Sequence, residues 1–143
     1  MSAQSATPHE NVDVVRRAHE AFNRPDLGVF DLDALYRVAD PDLVVDWSRS
    51  NGLEAGIYRG EAATRRFWNT FFEAFERVLV EPLEFIEHGE SVVVPHHFHA
   101  WGRQGVEVDA HSTVVFTVRD SRIVEMRLYR QTAEALKAVG VAE

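Results

Sequence analysis

Residues 91–129, SVVVPHHFHAWGRQGVEVDAHSTVVFTVRDSRIVEMRLY, decide the fold. Two turn clusters, Gly102-Arg103-Gln104-Gly105 and Arg119-Asp120-Ser121-Arg122, divide the stretch into three strands, and Glu87-His88-Gly89-Glu90 marks another turn just before it. On the first strand Val92, Val94, Phe98 and Ala100 share one face, with His96 among them. On the second, Val106, Val108, Ala110, Val114 and Phe116 share a face, and on the third Val124, Met126 and Leu128 do. Directly opposed residues of an antiparallel pair lie on the same face, so these parities fix the register. A three-residue loop at Arg103-Gln104-Gly105, with Gly105 left-handed, pairs Gly102 with Val106 and sets apolar against apolar. The same logic gives a three-residue loop at Arg119-Asp120-Ser121. The other face then carries His97, His99 and Trp101 against Glu107, Asp109 and His111, with His97 opposite His111 and His99 opposite Asp109.

Upstream the period changes from two to that of a helix. Thr7-Pro8-His9-Glu10 has the composition of a helix start, and Val14, Val15, Ala18, Ala21 and Phe22 follow on one face until Asn23-Arg24-Pro25. A short second helix runs from about Asp31 or Asp33 to Ala39 and is stopped by Asp40-Pro41, because proline disfavours helix at the residue before it. Leu43 to Trp47 reads as a strand. Gly60 starts a third helix, to about Glu76, whose Phe67, Trp68, Phe71, Phe72 and Phe75 form a broad aromatic stripe; such a stripe packs a core and also suits a cavity wall. A last helix spans about Thr132 to Val139, with Gly140 as its stop. Helices first and antiparallel strands afterwards give the α+β class. One amphipathic sheet curled around three helices leaves a conical hollow. Residues 1–143 therefore read as one domain with a flexible tail at about 1–7.

Composition narrows the function. The formal charge of −8 and the dispersed arginines, with Lys137 the one lysine, give no basic face for nucleic acid or an anionic membrane. The absence of cysteine removes disulfides, thiolate zinc sites and a cysteine nucleophile, and fits a reducing compartment. Met1 to Thr7 lacks the apolar core of a signal peptide, and no apolar run approaches the roughly 20 residues of a bilayer span. A cytoplasmic protein is expected. No glycine-rich phosphate loop is present, so no organic cofactor is implied.

Several strings resemble the SnoaL-like branch of the nuclear-transport-factor-two-like superfamily, the fold of the ketosteroid isomerases. They are NVDVVRRAHEAFN (residues 11–23), Asp40-Pro41-Asp42, GIYRGE (56–61), Val80-Glu81-Pro82, Val118-Arg119-Asp120 and YRQTAEALKAVG (129–140). The resemblance spans nearly the whole chain. It implies a cone-shaped α+β barrel, with N-terminal helices packed in the concave face of a strongly curved, mostly antiparallel sheet. It also implies an apolar pocket for a hydrophobic small molecule. Against the ketosteroid isomerases, Asp46 falls on the position of the carboxylate base, while Ala18 and Val114 stand where that family has its oxyanion-hole tyrosine and aspartate. Both donors are missing, so steroid isomerisation by that mechanism is not expected. In many members the outer sheet face forms a dimer. Here that face would be the histidine-rich patch of His97, His99, Trp101 and His111, giving a pH-sensitive homodimer. The same side chains have the donor types of a divalent-metal site, yet a solvated polar face or an interface explains them without a metal.

Asp46 leads the candidates: if its strand face lines the cone, aromatic surroundings would raise its pKa and suit it to proton transfer, and otherwise it stabilises the following loop. His96 either relays a proton or is a structural histidine, and Pro95 beside it implies an edge or bulge that would shift parity. Tyr58 is a hydrogen-bond donor or a packing residue. Trp47, Trp68, Phe72, Val114, Phe116, Met126 and Leu128 are expected to line the pocket, with Arg130 at its mouth and His19 at the edge of the first helix's apolar face. Three readings remain: an acid–base isomerase, cyclase or hydrolase with Asp46 as base and His96 or Tyr58 assisting; a non-catalytic binding domain; or a dimerisation module whose cone is filled.

Overall fold

The structure, a computed structural model, describes residues 10–22, 31–50, 52 and 54–141. The Thr7-Pro8 start of the first helix, its Asn23-Arg24-Pro25 end and the tail at 1–7 lie outside the described residues. Four helices and seven strands follow in the order α1 (Glu10–Phe22), α2 (Leu32–Tyr36), β1 (Ala39–Asp46), β2 (Ile57–Arg59), α3 (Glu61–Glu73), β3 (Phe75–Pro82), β4 (Ile86–His88), β5 (Ser91–Gly102), β6 (Glu107–Arg119), β7 (Arg122–Tyr129) and α4 (Thr132–Ala138). All strands join one sheet, ordered β2-β1-β7-β6-β5-β3, with β4 also on β5. Every pairing is antiparallel except β1 with β7. No helix among the described residues is long and apolar enough to cross a membrane.

Even parity holds along the whole of the long hairpin. β5 and β6 pair Val94 with Val114, His96 with Ser112, His97 with His111 and His99 with Asp109. At the connection both Gln104 (φ 64°) and Gly105 (φ 81°) are left-handed, so glycine takes one of two costly positions. Pro95 introduces no bulge between β5 and β6. On the other edge of β5 it sits where β3 gives way to β4, and its carbonyl accepts the Leu83 N–H at 2.9 Å. A proline at that gap removes no ladder bond, which is why the parity survives it.

Three expectations are corrected. The β6–β7 connection is a two-residue turn at Asp120-Ser121, both left-handed (φ 53° and 62°), with Arg119 opposite Arg122. That turn alone would set the faces out of step. A register shift after Val118↔Ile123 returns the strands to even parity, now with Phe116 opposite Met126, and the residue absorbed there is Val124. Ile123 is therefore fully buried and Val124 is only half-buried, reversing the assignment from simple alternation. α2 stops at Tyr36, and Asp40-Pro41 lies inside β1, where the ladder skips from Ala39↔Ile123 to Val44↔Glu125. The proline occupies that skip and costs no hydrogen bond. α3 ends at Glu73, and Phe75 already begins β3.

The core lies between the concave sheet face and α1 to α3. It includes Val15 and Ala18 of α1, Leu35 of α2, Trp68 of α3 and Val45, Val94 and Phe116 of the sheet. A second, smaller cluster on the convex face packs Val93, Val115 and Tyr129 under Ala135 of α4. Val92, Val93 and Val94 are all fully buried because both sides of the sheet are covered there, and this accounts for an unbroken valine run in place of alternation.

A two-residue hairpin turn with both residues left-handed favours Asn-Gly. Replacing Asp120-Ser121 by Asn-Gly is expected to stabilise the protein by about 1 kcal/mol. That corresponds to a rise of roughly 3 °C in the melting temperature. An unchanged or lower transition in a thermal melt would count against the turn described.

Candidate functional site

Trp47 and Trp68 meet edge to face with ring centroids 5.4 Å apart, and Phe72 stacks on Trp68 at 5.6 Å. Phe71 and Phe98, 5.8 Å apart, continue this aromatic wall from α3 onto β5. Between the wall and the sheet lies a half-open cavity of about 60 Å³, completed by Val80, Val114, Phe116, Met126, His96 and Ser112. A water molecule takes about 30 Å³ of liquid, so the hollow is neither filled nor roomy. A ring-sized ligand enters it by shifting aromatic side chains or by leaving part of its length in the mouth.

His96 is 4% exposed and lies directly opposite Ser112 across the β5–β6 ladder, so both side chains reach the hollow from adjacent strands. Behind it stands His19 of α1, equally buried. The two Nε2 atoms are 2.5 Å apart, and the rings stack at 4.7 Å. His19 Nδ1 donates to the Val15 carbonyl at 2.8 Å, one helical turn back. Phe85 and Phe116 close around the His19 ring. Burial disfavours the imidazolium of both. It pulls His19 down to about 4 against the opposing effect of the Val15 carbonyl, and His96 to about 3 with the neighbouring His19 adding to the shift. Two neutral imidazoles are therefore in contact, His96 in the floor of an aromatic pocket and His19 behind it.

Asp46 sits elsewhere. Leu43, Val45 and Trp47 carry the concave face of β1, and alternation sends Asp46 to the other side. There it accepts from the Ser48 amide (3.0 Å) and hydroxyl (2.5 Å), and from Arg49 at 3.4 Å. Arg49 in turn lies over the Tyr129 ring on the convex side. Partial burial acts to raise the Asp46 pKa, but the Ser48 and Arg49 contacts outweigh it and hold the carboxyl below its ordinary value. The geometry is that of a loop cap and corrects the reading of Asp46 as a base in a dry pocket. Tyr58 packs on Phe67 and donates to the Glu54 carbonyl at 2.6 Å, away from the hollow. Leu128 is buried in the core opposite Val114 and Arg130 is exposed; both line a cleft that also takes in Ser112, Tyr129 and Glu134.

Of the expected pocket residues, Trp47, Trp68, Phe72, His96, Val114, Phe116 and Met126 come together, with His19 one layer behind. Ser112 was missed. Its even parity with Val114 and Phe116 and its place opposite His96 were the signals for it. On the convex face His97 bonds to Asp109 and His99 to Glu107, both at 2.7 Å and one step diagonal to the direct pairs. Among the described residues no three histidine or carboxylate groups are placed to hold a metal ion.

The profile of the SnoaL-like domain matches residues 15–126. The chain belongs to the SnoaL-like family. Among solved structures it is similar to an NTF2-like protein of unknown function from Burkholderia pseudomallei (23% identity, TM-score 0.73, covering 92% of this chain and 98% of the other). It is also similar to TerC co-crystallised with polyporic acid (20%, 0.72, 91% and 97%). A third is a candidate SnoaL-like polyketide cyclase from Jannaschia sp. CCS1 (21%, 0.70, 99% and 100%). At these identities the likeness is one of fold. No curated protein matches the sequence significantly.

The buried histidines generate a pH dependence whose sign is fixed. Both are neutral when folded and regain an ordinary pKa near 6.5 when unfolded, so the unfolded chain binds more protons below that pH. Their contribution is complete above pH 6.5 and is lost as the pH falls toward 4. Unfolding free energy from denaturant titrations is expected to drop by up to about 1.4 kcal/mol per pH unit for each histidine. The His19→Phe, His96→Phe double variant should show a flatter profile between pH 6.5 and 4.5; equal steepness would contradict the burial described.

Proposed function

We propose that this SnoaL-like protein takes an apolar, ring-bearing metabolite of polyketide type into the hollow and moves a proton on it with His96. The observation that carries the reading is the buried His19–His96 pair opening onto an aromatic cavity. TerC, co-crystallised with polyporic acid, and the Jannaschia polyketide-cyclase candidate support the choice of ligand class. The chemistry is removal of a proton from carbon next to a carbonyl, the opening step of an isomerisation or ring closure. An imidazole held near 3 is a weak base in an empty hollow. As an enolate forms beside it, the two opposite charges attract in a low-dielectric site, and the proton affinity of His96 rises with the reaction. The Ser112 hydroxyl, across the ladder, is placed to donate to the developing oxyanion.

2-Tetralone, an apolar ketone with acidic ring-adjacent protons, tests this in D2O. Wild-type protein and Asp46→Asn are expected to accelerate its deuterium uptake, read by proton NMR, at least tenfold over His96→Gln. Tetralone that binds, as shown by saturation transfer, but exchanges no faster than in buffer would make the hollow a binding site without chemistry. Loss of exchange in Asp46→Asn would return the base to Asp46.

The convex face has a second role in this reading, as the contact with another copy of the chain. Its rows Glu81–His97–His111 and Leu79–His99–Asp109 set histidines beside carboxylates, so that a two-fold rotation can bring the imidazoles of one copy to the carboxylates of the other. The Asp109 hydrogen bond raises the pKa of His97, with Glu81 adding to it. Two-dimensional NMR should place the His97 midpoint above 6.5, moving down in Asp109→Asn. Sedimentation at pH 6 and pH 8.5 should show the dimer weakening at the higher pH, where His97 loses its charge. A monomer at both values would remove the convex face from the account.

A further inference from the structure

The hydrogen-bond chain behind the hollow has a direction, and the direction selects the ligand. A backbone carbonyl only accepts, so the 2.8 Å contact of His19 Nδ1 with Val15 puts the His19 proton on Nδ1. In the neutral ring Nε2 of His19 is then a bare acceptor. Its 2.5 Å contact with Nε2 of His96 requires that His96 be the donor there. A neutral His96 protonated on Nε2 carries its lone pair on Nδ1, the nitrogen left over for the hollow that the ring lines. The floor of an otherwise apolar pocket thus presents a fixed acceptor. Beside it, on the directly opposed residue, the Ser112 hydroxyl supplies a donor.

We propose that the site recognises a hydroxyl next to a carbonyl, in the manner of an enolic or phenolic hydroxy-ketone. The hydroxyl donates to His96 Nδ1, the carbonyl accepts from Ser112 Oγ, and His19 acts as a positioning residue that holds His96 in the accepting tautomer. The inference rests on the proposed function for the choice of pocket and adds the polarity of the ligand. Direct opposition in an antiparallel pair sets the two Cβ atoms about 4.5–5.5 Å apart, a spacing that suits two oxygens on neighbouring or alternate carbons of one ring. The remainder of the lining is aromatic and aliphatic and matches a flat apolar body. Removing the ligand's hydroxyl proton leaves the Nδ1 lone pair facing an ether or a hydrogen, and a buried unmatched acceptor is penalised.

The probes are 2′-hydroxyacetophenone, its methyl ether 2′-methoxyacetophenone, and acetophenone, with affinities read by ligand-observed NMR at pH 7.5. The hydroxy-ketone is expected to bind at least tenfold more tightly than the ether. His96→Phe should abolish that preference. Ser112→Ala should weaken the hydroxy-ketone and acetophenone alike by several-fold. His19→Phe should narrow the preference, because His96 is then free to exchange its proton between nitrogens. Long-range nitrogen–proton spectra of ring-labelled wild-type protein read the tautomers without any substitution: His19 protonated on Nδ1 and His96 on Nε2. Equal affinity for hydroxyl and ether, or a spectrum with His96 protonated on Nδ1, overturns the inference. A hydroxyl preference without tetralone exchange removes the enzyme reading and keeps this one, and exchange without a hydroxyl preference does the reverse. Binding of none of the three overturns both.

Discussion

The register of β5 against β6 is the constraint on which the hollow depends. Val92, Val94, Val114 and Phe116 point inward only while the two strands pair with even parity. A one-residue slip would turn one of the two strands over and bring either His97 and His99 or Asp109 and His111 into the cone. Each inward side chain contributes about 1.5–3 kcal/mol by leaving water. Two of them exchanged for polar side chains amount to a large share of the 5–15 kcal/mol by which a domain of this size is stable. The alternative register is therefore not a competing fold, and the Gln104-Gly105 turn, the Pro95 gap and the skip at Val124 are arranged around it.

The same constraint explains what was legible in the sequence. Alternation over residues 91–118 gave the faces, the pairing and most of the pocket wall, because a curved sheet has one inside and apolar residues must fill it. It failed where backbone geometry intervenes. Nothing in Arg119-Asp120-Ser121 distinguishes a three-residue loop, which sets Phe116 opposite Val124, from a two-residue turn followed by a skipped residue, which sets it opposite Met126, because both leave the strands in even parity. Asp46 shows another limit. Parity separated it from Val45 and Trp47, but which set faced inward depended on β1 lying beside β7, a parallel pairing between distant segments. The burial of Val45 opposite Met126 decides the matter, and that contact is tertiary.

The histidine pair belongs to the same class of long-range fact. His19 on α1 and His96 on β5 are 77 residues apart, and each reads alone as a structural histidine. Their meeting makes a polar unit whose single proton between two nitrogens is sheltered by Phe85 and Phe116. Such a unit is tolerated in a core because its donors and acceptors are matched, from the Val15 carbonyl through both rings. That chain of bonds does not use Nδ1 of His96, a residue of the cavity lining. Stability and the proposed chemistry draw on the same three hydrogen-bonding groups.

The placement of the tryptophans has an optical consequence. Trp47 and Trp68 form part of the hollow's wall with their planes 80° apart and their centroids 5.4 Å apart. Trp101 lies on the convex face, stacked on His99. Two indoles held that close in a fixed, chiral arrangement couple their electronic transitions. Their near-ultraviolet circular dichroism therefore carries a signature of the pair, distinct from the third ring outside. A guest that parts the aromatic wall must alter that coupling, whatever its own colour, so the protein carries a gauge of its cavity in its own absorption.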